Sequence, residues 1–180
     1  ASQSFTVHTG KEFIKALIEG SKKAPIDRLI VGSHSSGFGI YMNDDAGLYG
    51  DYSDLILKTW GSKEGAAILS EIGKSIENGD IRFSKEAQVI FAGCNTGDYP
   101  CPGLDGFAEN FSEVVSNVYV TGANDKTNPY HSKDGKKDSN IYKTVNEGKK
   151  WNTYKNGKKV QVSENSINVV NFVGSDEKCE

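Results

Sequence analysis

A chain of 180 residues fits a single domain, since domains usually run about 100–150 residues and single ones reach ~250. With 36% apolar residues, 25% charged residues and four prolines, the composition excludes a disordered or proline-rich linker, and no apolar run nears the ~20 residues of a membrane helix. The net charge of −3 is uneven: residues 1–120 carry ten basic and sixteen acidic side chains, residues 121–180 eleven and eight. The basic stretch from Lys133 to Lys159 holds no arginine and interleaves lysine with Asn, Gly, Ser and Asp, so it reads as a solvated surface and not as a nucleic-acid patch.

Phe5–His8 alternates weakly, as a short strand would. Thr9 with Glu12 three residues on is a capping-box pattern. It opens a helix with Phe13, Ile14, Leu17 and Ile18 on one face, stopped by Gly20 and Pro25. Ile26–Val31 reads as a strand, and Asp27–Ser33 is expected to be buried because Leu29, Ile30 and Val31 are consecutive. The run from Gly32 to Gly37 is expected to carry no regular element. Phe38–Met42 reads as a shorter strand and Asn43–Gly50 as a polar loop. Lys63–Asn78 reads as a helix with Ile68, Leu69, Ile72 and Ile76 on one face and Gly79 as its cap.

Gln88–Ala92 reads as a second buried strand, leading into Gly93 and Cys94. Gly106–Ser116 is the third predicted helix, with Phe107, Phe111, Val114 and Val115 at helical spacing. Asn117–Thr121 is the third buried strand, closed by Gly122. Farther on, Trp151–Tyr154, Asn156-Gly157 and Lys159–Val162 read as a hairpin, because Asn-Gly suits a type I′ turn. Ile167–Val173 is a further strand candidate. One domain is expected: a core of about residues 5–123, a loop and hairpin extension at 124–173 that completes or packs on the sheet, and a polar tail at 174–180.

Strands alternating with helices predict a mostly parallel sheet with helices on both faces. Right-handed crossovers bring the strand C-termini to one edge, where sites in open α/β sheets gather. The loops His34–Gly37, Cys94–Gly103 and Gly122–Pro129 should therefore meet.

Three cysteines, Cys94, Cys101 and Cys179, are not a disulfide framework, although Cys94 and Cys101 are close enough in sequence to pair. No C-x-x-C pair marks a zinc site, and neither a metal nor a cofactor is expected. A start at Ala1 fits a processed secreted chain or a piece of a longer one, and no targeting signal remains to decide.

Histidine after one buried strand and cysteine after the next is a specific pairing. A thiol is a nucleophile as thiolate, and at its ordinary pKa of ~8.5 little thiolate exists at neutral pH. A nearby imidazole takes the proton and later returns it to the leaving amine. Backbone N–H groups in the adjoining glycine-rich turns can hold the oxyanion. The blander reading is a buried structural cysteine and a turn histidine. His8 and His131 have no comparable setting and read as structural or exposed.

The stretches Leu29-Ile30-Val31-Gly32-Ser33-His34 and Val89-Ile90-Phe91-Ala92-Gly93-Cys94 resemble the caspase-like cysteine peptidase clan (clan CD). That clan includes caspases, gingipains, clostripain, separase, the autoprocessing domains of large bacterial toxins, and CHAT domains. Cys94-Asn95-Thr96-Gly97, followed by a helix and a strand, is similar to CHAT-type and bacterial toxin-associated members. The resemblance spans roughly residues 26–123. It implies a three-layer caspase-like α/β fold, His34 as general base, Cys94 as nucleophile, and Ser35 and Gly93 as backbone contributors to the oxyanion hole. The clan usually places glycine directly after the histidine. Here Ser35 stands there, with glycine only at Gly37, so a side chain adjoins the substrate path.

The implied function is a cysteine endopeptidase, secreted or delivered outside the cell, with a peptide or protein as substrate. The alternatives are an inactive caspase-like binding module and an amidase using the same dyad. Asp98, Asp105 and Asp125 fall in loops near the expected edge and are candidate substrate contacts for a basic side chain. No nucleic-acid partner and no membrane span is expected.

Overall fold

The computed structural model describes residues 2–50, 57–98, 105–129, 141–144, 149–163 and 166–168. Its centre is a five-stranded mixed sheet, β1-β6-β7-β10-β11 in spatial order. β1 (Ile26–Val31), β6 (Phe83–Phe91) and β7 (Tyr119–Ala123) run parallel. β10 (Trp151–Lys155) and β11 (Lys158–Ser163) add antiparallel to β7, so the C-terminal hairpin completes the sheet. Two of the four pairings are parallel and two antiparallel, so the sheet is mixed where the alternating sequence pattern predicts a mostly parallel one. The short Asn156-Gly157 link can only return β11 antiparallel to β10, and β10 itself adds antiparallel to β7.

Both turn residues have positive φ, 50° and 74°, the signature of a type I′ hairpin. The Asn156 side chain also accepts from the Asn117 N–H at 2.8 Å, and the Gly157 N–H donates to Ser112 Oγ at 2.9 Å. The hairpin tip is thereby fastened to the turn that precedes β7.

Among the described residues three α-helices accompany the sheet: α1 (Gly10–Ser21), α2 (Leu69–Glu77) and α3 (Phe107–Val114). Thr9 Oγ1 accepts from the Glu12 N–H at 3.2 Å, while the Glu12 carboxylate reaches past the cap to the His8 N–H at 2.7 Å. α1 runs through Gly20, and Phe5–His8 forms no strand. α2 begins at Leu69, not Lys63, because Gly65 turns left-handed at φ 83° and Ala67–Ile68 is drawn into a small strand, β5.

Val89, Phe91, Val120 and Tyr154 share one sheet face and pack in one cluster with Phe13 and Leu17 of α1, Leu69 and Ile72 of α2, and Phe107 and Phe111 of α3. Burying side chains of this size stabilises by about 1.5–3 kcal/mol each. The register β1-β6-β7 steps in one direction, and right-handed crossovers of that kind lay both connecting helices on one face. Ile90, Thr121, Thr153 and Trp151 on the opposite face are also buried but stand outside this cluster.

β1 departs from expectation. It is an edge strand, with Val31 buried, Asp27 and Arg28 exposed and Ile30 41% exposed. β6 and β7, each paired on both sides, are the buried strands, as Val89–Phe91 and Asn117–Thr121 lead one to expect.

A second, four-stranded sheet hangs between β1 and α2: β2 (His34–Ser36), β3 (Gly39–Tyr41), β4 (Leu48–Tyr49) and β5 (Ala67–Ile68). Residues read from sequence as irregular thus form β2, and the expected loop Asn43–Gly50 contains a short 3-10 turn and β4. Ile40, Leu48 and Tyr49 of this sheet are fully buried. β8 (Thr127–Pro129), β9 (Ile141–Thr144) and β12 (Ser166–Asn168) make a third, antiparallel sheet. The Ile167–Val173 candidate survives only as β12, its remainder lying outside the described residues. Among the described residues no helix is long and apolar enough to cross a membrane.

Candidate active site

β1 and β6 end side by side, Val31 opposite Phe91, and the Ala92 N–H continues the ladder to the Val31 carbonyl at 2.8 Å. The chain after β1 carries His34 and the chain after β6 carries Cys94, so one sheet edge receives both. Their segments touch. Ser35 Oγ donates to the Cys94 carbonyl at 2.9 Å. Gly93 lies so close to Ser33 and Ser35 that a Cβ on it would stand 1.9 Å from Ser35 Oγ and 2.7 Å from the Ser33 carbonyl, which only glycine avoids.

The turn after Cys94 is bound on every side. Asn95 sits left-handed at φ 54°, a conformation asparagine tolerates better than most residues, and its N–H donates to the Asp125 carbonyl at 3.0 Å. Thr96, fully buried, has its hydroxyl 3.1 Å from the Phe91 carbonyl and 3.3 Å from that of Gly93, and it accepts from the Ala123 N–H. The Gly97 carbonyl accepts from Tyr154 Oη at 2.6 Å and from the Asn152 amide at 3.1 Å. Thr127 Oγ1 donates to the Ala92 carbonyl at 2.6 Å. The loops following β1, β6 and β7 therefore meet at one edge.

His34 occupies a looser setting. It is exposed, at the start of β2, directly opposite Tyr41 of β3. Tyr41 packs against Tyr49 and Trp60 at ring-centroid distances of 6.1 and 5.9 Å, and its hydroxyl lies 2.7 Å from Ser36 Oγ. Cys94 is half-buried and forms no disulfide among the described residues. No hydrogen bond joins the His34 imidazole to the Cys94 thiol among the described residues. Cys101, the rival disulfide partner, lies outside them, as do Cys179 and His131. His8 is exposed and takes part through its backbone alone.

The three candidate aspartates separate. Asp125 stays with the Cys94 turn, its backbone carbonyl on Asn95 and its carboxylate on the Lys126 N–H at 2.7 Å. Asp98 and Asp105 lie at the start of α3, which carries Glu109 in its first turn and Glu113 in its last. Burial first, then the charge of Asp105, holds both glutamates above the usual carboxylate range, and Glu113 adds to the effect on Glu109. Burial above all, with lesser contributions from Glu109, Asp98 and Asp105, also pushes the Tyr154 phenol up. Among the described residues no group of three or more His, Cys, Asp and Glu side chains is placed to hold a metal.

Sequence reasoning missed Thr96, Thr127, Asn152 and Tyr154, the side chains that hold the turn. Thr96 stood inside the quoted Cys-Asn-Thr-Gly run. Asn152 and Tyr154 are two apart on a strand, which places both on one face. Comparison with known proteins returns no matching family model, no matching curated protein and no matching solved structure.

Proposed function

We propose that the chain is a cysteine endopeptidase acting through Cys94 and His34, on a three-layer caspase-like fold whose second sheet face is also covered. The observation that carries this reading is the Ser35 Oγ to Cys94 carbonyl bond, which joins the histidine-bearing and cysteine-bearing segments at one sheet edge. In the reaction, the imidazole of His34 takes the thiol proton as sulfur attacks the scissile carbonyl carbon. The tetrahedral oxyanion faces the backbone N–H groups near Ser35 and Gly93. His34 returns the proton to the leaving amine, the C–N bond breaks and a thioester remains. Water, deprotonated by His34, attacks the thioester, releasing the acid and restoring the thiol. A secreted or effector setting in bacteria fits the toxin-like resemblance, with Asp98 and Asp125 as contacts for a basic substrate side chain.

One observation favours a second reading. The imidazole and thiol make no bond, and a caspase-like module that only binds partners needs none. Apo sites often hold catalytic partners apart, so the enzymatic reading takes precedence. A diverse peptide library incubated with wild type, Cys94→Ala and His34→Ala separates the two. Cleavage by wild type and loss of about 100-fold or more in each variant is expected. Full activity in either variant overturns the Cys94–His34 mechanism, and no cleavage by wild type after proteolytic or ligand activation moves the assignment to the binding module.

A further inference from the structure

The peptide unit that follows Cys94 is held at both ends by different loops. Its carbonyl accepts from Ser35 Oγ at 2.9 Å, and its N–H, that of Asn95, donates to the Asp125 carbonyl at 3.0 Å. Between those two bonds Asn95 is kept at a positive φ of 54°. A peptide plane flanking a left-handed residue has an alternative orientation in which that residue relaxes to negative φ. Losing either bond releases it, and Cys94 is the residue whose ψ would change.

The Ser35 side chain is therefore engaged within the turn itself. Its hydroxyl is spent on the Cys94 carbonyl, and its β-carbon side packs toward Gly93. We propose that Ser35 is a positioning residue: its hydroxyl clamps the Cys94–Asn95 peptide and so fixes the direction in which the thiol leaves the turn, toward the His34 side. This inference rests on the peptidase reading. It opposes the simpler idea that serine in a glycine position merely obstructs substrate, and the two ideas give opposite signs for Ser35→Gly.

The test needs no substrate. Native protein is alkylated with iodoacetamide across pH 5–9, and modification of the Cys94 peptide alone is followed by mass spectrometry in wild type, Ser35→Ala, Ser35→Gly and His34→Ala. Amide hydrogen exchange at Asn95 is read in parallel, and thermal melting verifies folding. Expected are about tenfold slower Cys94 alkylation at pH 7 in both Ser35 variants, a pH profile reduced to that of His34→Ala, and faster Asn95 exchange. Faster alkylation in Ser35→Gly than in wild type overturns the clamp in favour of obstruction. A Ser35→Ala profile equal to wild type, with His34→Ala altered, overturns the clamp and leaves the peptidase reading standing. A His34→Ala profile equal to wild type removes the peptidase reading itself. Faster Asn95 exchange without any change in alkylation makes Ser35 a structural tie only, and also overturns the proposal.

Discussion

The turn bearing Cys94 and the strand bearing His34 leave the same edge of one sheet, yet they are anchored differently. Residues 93–97 are tied by Thr96, Thr127, Asn152 and Tyr154 to the centre of the molecule, and glycine backbones meet there without side chains between them. Among the described residues β2 pairs only with β3, in a small sheet outside the main one, and its first residue is exposed. Under the proposed mechanism, a nucleophile on a rigid turn and a base on a lighter support would divide the work of positioning, and only one of the two would have to move for them to meet.

The largest expected effect comes from breaking the rigid arm. A Cβ at Gly97 would stand 2.0 Å from the Gly122 carbonyl, where backbone meets backbone and nothing can swing aside. Gly97→Ala should cost about 3 kcal/mol in urea unfolding, the upper range of overpacking. A midpoint equal to wild type would mean that the turn is far softer than its bonds imply.

Tyr154→Phe should cost less, about 1–2 kcal/mol, because the Gly97 carbonyl keeps Asn152 as a second donor. It has a pH signature too. Burial raises the phenol above its ordinary value of about 10, so the folded state holds the proton that the unfolded state releases. Stability from this group is complete below pH 10 and declines as pH rises through the raised value. Tyr49, pushed up to about 12 by burial, acts in the same sense. The alkaline loss of stability should be shallower in Tyr154→Phe than in wild type, and deletion of Tyr49's hydroxyl should flatten the remainder. Equal slopes in all three proteins would remove burial of these phenols as the cause.

The smallest effect sharpens the contrast from the other side. His34→Ala changes an exposed side chain and should alter unfolding free energy by no more than about 0.5 kcal/mol, whatever it does to activity. A loss above 1 kcal/mol would show that the histidine arm is structurally anchored after all.

Parts of this arrangement were legible in the residues and parts were not. Val89-Ile90-Phe91 marks a buried strand, and Asn156-Gly157 marks a hairpin, because each rests on local chemistry. Leu29-Ile30-Val31 carries the same apolar run as β6 but lies at an edge, since consecutive apolar residues report expected burial and not the number of neighbouring strands. β2 is polar and three residues long, so no hydrophobic alternation announces it. The helix read from Lys63 fails at Gly65, whose positive φ no spacing argument could supply. His34 and Cys94 were legible as residues at strand ends. Their supports were not, because Tyr154 and Thr127 reach the turn from strands whose pairing is a tertiary fact.

The contact between Ser35 and Cys94 spans 59 residues of chain, and that between Tyr154 and Gly97 spans 57. The β10–β11 hairpin closes over a two-residue turn and belongs to the microsecond events of folding. The joining of β1 to β6 must first close a long loop, whose entropy opposes it until the core forms. During synthesis Cys94 leaves the ribosome well before Tyr154, so the thiol turn has no brace while the nascent chain is still short. The order of synthesis delays assembly of the edge that carries His34 and Cys94 until almost the whole sheet exists.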